Sequence, residues 1–286
     1  MYPTGKRTVA LFAFLLVFLA LNSCSGPAAP QPGSPGFFWN AAKGTFAAGD
    51  YTMTAQHLDD LLSKDDGEYA ARALPWSLVL TSGMADGYME AADAYEKGAK
   101  IAGKPDKAKA EPFRRQMILD RTAASKLVLH FADQFESFNK LTIDAVPLAF
   151  GFPKGSAGEV PQLLRASTGN MPVGPQVDAA AQQVMQRNVI LAAAKAAGCP
   201  NDPVKAGQIF AAADAKVARA TFQLAMANTL FSMAEMFSRD RIDDSEKLGI
   251  LCQRAQNALK SVPASADSKE LTDKIAQALK KLPKRS

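Results

Sequence analysis

The chain has 286 residues, with 33 Lys and Arg against 28 Asp and Glu, and 48% of its residues are hydrophobic. That is enough apolar material for a sizeable core. The slight positive excess is spread along the chain, so it offers no clustered basic face and excludes nucleic acid as a partner. There are 3 cysteines and 2 histidines, His57 and His130, with no CxxC and no paired-histidine spacing, so neither a metal site nor a cofactor is expected.

Lys6 and Arg7 precede an apolar run, Val9 to Leu21. The run is shorter than the ~20 residues of a membrane-spanning helix and reads as a secretory signal. It ends in Leu21, Asn22, Ser23 and Cys24. Leu21, Ser23 and Cys24 resemble the lipobox of bacterial lipoproteins, with Asn22 the departure from it. The resemblance implies removal of residues 1–23, a lipid on Cys24 and anchoring in the cell envelope. Ser25 gives no inner-membrane retention signal, which implies the outer membrane, facing the periplasm, in a Gram-negative host. The alternative is an ordinary signal peptide that leaves Cys24 free. Residues 24–36 carry Pro27, Pro30, Pro32 and Pro35 and read as an extended tether of up to ~40 Å.

Residues 37–104 change to Ala, Leu and aromatic residues at helical spacing. Phe38, Ala42 and Phe46 share one face, Gly49 and Asp50 make a turn, and Tyr51, Ala55, Leu58 and Leu62 resume the period. A second unit is expected with Pro75 opening a helix, Asp86 and Gly87 turning, and Tyr88, Ala91, Tyr95 and Ala99 as its next stripe. The step from Tyr51 to Tyr88 is near the ~34 residues of a tetratricopeptide repeat. The two units resemble degenerate repeats of that family, which implies stacked helical hairpins with a groove for a protein partner. A pair of generic helical hairpins is the other reading.

Residues 105–286 read as a helical bundle. Phe113, Met117, Ala124, Val128, Phe131, Phe135 and Phe138 mark a helix from Pro112 to about Leu141. Residues 144–175 are rich in Pro and Gly yet hold Val146, Leu148, Phe150 and Phe152, so they must be covered, either packed over the bundle or acting as a lid. Gln176–Ala197 reads as a helix stopped by Gly198. From Asp202 and Pro203 one long helix is expected, carrying Phe210, Val217, Leu224 and Phe231 at heptad spacing with alanines between them. Met226, Met233 and Met236 fit core filling or an adaptable surface. Asp244–Val262 and Ser268–Leu282 complete an all-α chain. Cys199 and Cys252 remain as a pair in an oxidising compartment, so a disulfide is expected in preference to two buried thiols.

Catalytic patterns are missing: Lys154–Gly158 is no nucleophile elbow and Gly151–Ser156 is no phosphate loop. The carboxylates Glu111 and Asp120, Asp59 and Asp60, and Asp243 and Asp244 read as turn or surface positions. A non-catalytic binding or scaffold lipoprotein is therefore expected, with an envelope protein as partner. Lys43 and Glu90 would supply polar contacts and Tyr51 and Tyr88 would support the groove. The alternative is a carrier of a small or lipidic ligand, accompanying a transporter, with Phe150 and Phe152 at the contact.

Overall fold

The computed structural model describes residues 30–282, except residues 65, 66, 105 and 213. The signal segment, Cys24 and the first part of the tether, residues 24–29, lie outside the described residues, and the last two tether residues, Pro35 and Gly36, already belong to the first helix.

Helix α1, Pro35–Ala48, begins where Ser34 Oγ accepts from the Phe37 amide and Pro35 supplies the first turn, a favoured start because proline's missing N–H would be unpaired there anyway. It ends at Gly49, whose φ of 78° is open to glycine at little cost. Asp50 then caps α2, Tyr51–Leu62, by accepting from the Met53 amide. Trp39, Ala42 and Phe46 of α1 and Tyr51, Ala55, Leu58 and Leu61 of α2 are buried. This first hairpin is the one expected.

The second hairpin does not form. Residues Ala70–Ala102 are one 33-residue helix, α3, with Pro75 inside it. Asp86 and Gly87 do not turn the chain. They serve the crossing of α6, Gln176–Ala196: a side chain on Gly83 would come within 2.6 Å of Val189 Cα, and one on Gly87 within 2.8 Å of Met185 Sδ. Glycine here permits close helix approach, and its propensity cost in a helix interior is outweighed by that packing.

A short 3₁₀ turn, Lys107–Ala110, leads into α4, Glu111–Asn139, which lies along α3. The apolar stripe faces inward as expected, with Phe113, Ala124, Val128, Phe131, Phe135 and Phe138 buried. After β1, Ala145–Pro147, come α5, Pro161–Ser167, then α6, and α7, Pro203–Phe210. The long helix expected from Pro203 is broken by β2, Lys216–Ala218, before α8, Arg219–Ala234. Val217 pairs with Val146 in an antiparallel two-stranded ribbon. Arg219 explains the break. Its guanidinium donates to the main-chain oxygens of Leu141, Ile143 and Asn139, and its amide to Asp144 O. The last carbonyl of α4, Asn139 O, and three carbonyls of the segment that follows it are thereby satisfied, a gain that a continued helix would forfeit.

A 3₁₀ turn, Glu235–Phe237, precedes α9, Ser245–Leu259, and α10, Ala266–Lys280. Met226, Met233 and Met236 are buried core residues. Gln223, only 1% exposed, donates to Asn139 Oδ1, Ala258 O and Ser261 Oγ, tying α8 to α4 and α9 through a satisfied polar group. The described residues are all-α apart from the β1–β2 ribbon, and among them no helix is long and apolar enough to cross a membrane.

The expected disulfide is absent: Cys199 and Cys252 are separate buried thiols. Each behaves as a small apolar side chain in the main core, and Cys252 is fully buried. Burial, aided by the charge of Glu235, pushes the Cys252 thiol up to about 11.

Candidate functional site

The residues expected to form a groove do not meet in one place. Phe150 is buried against Trp39, Phe46 and Trp76, with ring centroids 5.1, 4.9 and 5.1 Å away. Phe152 packs edge-on to Phe210 at 5.3 Å. Tyr51 is buried and donates its hydroxyl to Lys154 O at 3.0 Å, while Lys154 Nζ donates to Ala47 O at 3.2 Å. The aromatic face of the α1–α2 hairpin is therefore filled by the chain's own 150–154 segment. Lys43 is exposed and lies over the Trp39 ring at 5.4 Å. Glu90 is engaged in the fold, accepting from Arg187 at 2.6 Å and from Asn188 at 2.8 Å. With Asp86, which pairs with Lys195 at 3.1 Å, it joins α3 to α6.

A second cluster, between α2, α3 and α4, is structural. Asp59 Oδ1 meets His130 Nε2 at 3.0 Å and accepts from Gln134 Nε2 at 2.9 Å, and the Gln134 amide also reaches Ser77 Oγ. The hydrogen bond to Asp59 raises the His130 pKa, against an opposing burial effect. Ser77 is fully buried, so no substrate could reach its hydroxyl.

Tyr88, one of the expected residues, lines a pocket of about 60 Å³ between α3, α4, α5 and α6. Helix α3 contributes Tyr88, Ala91 and Tyr95, and α6 contributes Val184 and Met185. Tyr88 and Tyr95 share a face because they are seven residues apart, close to two turns. From α4 comes Asp120, which is 6% exposed. Gln116 Nε2 donates to Asp120 Oδ1 at 3.0 Å, and Asp120 Oδ2 has no hydrogen-bond partner. Burial pushes the Asp120 carboxyl up to about 6, with the Gln116 hydrogen bond acting the other way. The Tyr95 hydroxyl is raised too, by burial and then by the charge of Asp120. No Lys, Arg or His lines the pocket. Arg121, next in sequence, is occupied elsewhere, donating to Glu96 Oε2 at 2.8 Å and to Arg241 O at 3.3 Å.

The sequence reading placed Asp120, with Glu111, at a turn or surface position, and the structure instead buries it inside α4. A signal existed: it falls between Met117 and Ala124 on the buried stripe of α4, where a carboxylate breaks the apolar pattern. Larger grooves flank α10, one of about 970 Å³, but that one is edged by charges of both signs, among them Arg239, Asp240 and Lys281. Among the described residues no group of three or more His, Cys, Asp or Glu could hold a metal ion. Comparison of the chain with protein-family models, curated proteins and solved structures gives no match.

Proposed function

We propose that this chain is a non-catalytic binding protein, held at the cell envelope by a lipid on Cys24, that captures a small ligand in the Asp120 pocket. The observation that supports it is the unpartnered Asp120 Oδ2 in a mainly apolar recess whose other polar lining groups are uncharged. A buried acceptor without a partner costs about 1–3 kcal/mol, and such groups concentrate where a ligand completes them. The lipobox-like Leu21, Ser23 and Cys24 support the anchor. The groove for a protein partner implied by tetratricopeptide resemblance loses its support, because one hairpin is a continuous helix and the other is covered by Phe150. A lipid chain is a poor fit to a pocket of about 60 Å³.

Native mass spectrometry of protein extracted from membranes in mild detergent tests both halves. The expected result is a diacylglyceryl form that Cys24→Ala abolishes, and a small adduct that Ala180→Leu, which narrows the pocket, removes. Crosslinking in intact cells that captures a protein through the α1–α2 hairpin, with no adduct on the extracted chain, would return the assignment to a protein-binding scaffold.

A further inference from the structure

The chemistry of the pocket narrows its ligand. The lining holds one ionisable carboxyl and no cation, and Arg121, next in sequence, donates to Glu96 and to Arg241 O. Ionised Asp120 thus lacks a counter-ion, and a buried charge is tolerated only when paired and hydrogen-bonded. A neutral alcohol or amide would satisfy the open oxygen and leave the charge uncompensated. Calcium or magnesium takes six or more oxygen ligands and zinc three or four protein ligands, whereas the lining offers a single carboxylate and no His or Cys. The walls add a preference of their own. Tyr88, Tyr95 and Met185 are among the lining residues, and aromatic and apolar walls suit a cation with a short apolar body. Size sets the remaining limit, because about 60 Å³ has room for roughly four or five water-sized groups. The rim is accessible: Gln162 and Ala180 are half-buried and Ala181 is exposed.

Resting on the reading of this pocket as a ligand site, we propose that it takes the primary ammonium end of a small organic amine. The ammonium donates to Asp120 Oδ2, and the stem of about three carbons lies against Tyr88, Tyr95 and Met185. A longer amine would leave by the rim beside Ala181.

The test uses the full chain in detergent, titrated with n-propylammonium chloride, 1-propanol and sodium propionate at constant ionic strength, with amide chemical shifts recorded near Asp120 and Tyr95. The expected result is saturable, millimolar binding of propylammonium with shifts confined to the pocket, and at least tenfold weaker response to the other two probes. Asp120→Asn should weaken propylammonium binding at least tenfold. Ala180→Leu should weaken it as well. Equal binding of 1-propanol and propylammonium, both blocked by Ala180→Leu, would overturn the ammonium assignment and leave the ligand pocket standing. Binding of propylammonium with shifts elsewhere, or no pocket shifts with any probe, would overturn both.

Discussion

Replacing Asp120 by Asn should make the protein gain stability relative to the parent as pH rises. The carboxyl is raised from 3.8 to about 6 in the fold, a difference worth about 3 kcal/mol. Because the folded pKa lies above the unfolded one, the folded state holds more protons within that window. Asp120 therefore contributes stability that is complete below pH 3.8 and is lost as pH rises through about 6. Between pH 4 and 7.5 the loss is about 2 kcal/mol. Asparagine cannot titrate. Its carbonyl can still accept from Gln116, and its unpaired amide costs about 1–3 kcal/mol at every pH. The clean quantity is therefore the change with pH in the gap between variant and parent. Urea denaturation followed by circular dichroism at pH 4 and 7.5 should show Asp120→Asn gaining about 2 kcal/mol on the parent at the higher pH. An equal gap at both pH values would refute the claim that an uncompensated carboxylate lies in the pocket.

Both thiols should resist alkylation in the native protein and react once it is unfolded, and reductant should leave the melting temperature unchanged; a fall on reduction would mean the cysteines pair. The His130 imidazole, raised by its hydrogen bond to Asp59, should titrate above 6.5 by NMR, and Asp59→Asn should bring the midpoint back towards that value. Its contribution to stability is present below pH 6.5 and is lost as pH rises through the folded pKa. Glu90→Lys removes the acceptor for Arg187 and Asn188 and should cost about 1–3 kcal/mol, whereas Lys43→Glu, on an exposed side chain, should stay within about 1 kcal/mol. Chemical denaturation distinguishes the two.

Where local chemistry decides the structure, the sequence was legible. Gly49 and Asp50 stop one helix and cap the next, Gly198 with its φ of 76° follows α6, and the step of three and four along α4 lies on the buried face. Long-range contacts decided the rest. Asp86 and Gly87 have turn-forming composition, yet α6 crosses there and holds the helix continuous with Lys195 and Met185. The heptad from Phe210 to Phe231 is helical in pattern, but carbonyls at the end of α4 and just after it, some 80 residues earlier, draw Arg219 and β2 out of it. The same limit hid the pocket. Asp120 is an acid on a buried stripe, and only the packing of α3, α5 and α6 beside it turns that position into the wall of a pocket.

The insertion of Phe150 between Trp39, Phe46 and Trp76 also sets a schedule for the growing chain. The α1–α2 hairpin closes through neighbours in sequence and can form as soon as it is made. Its aromatic face waits for a residue about a hundred positions later, which at ~5–20 residues per second is roughly 5–20 seconds of synthesis. Throughout that interval the Trp39 indole and the Phe46 ring lack the cover that Phe150 supplies. A nascent segment in that condition is a ready client for a holdase, and truncations that stop before Phe150 should aggregate while those that include it and the helices beneath stay soluble.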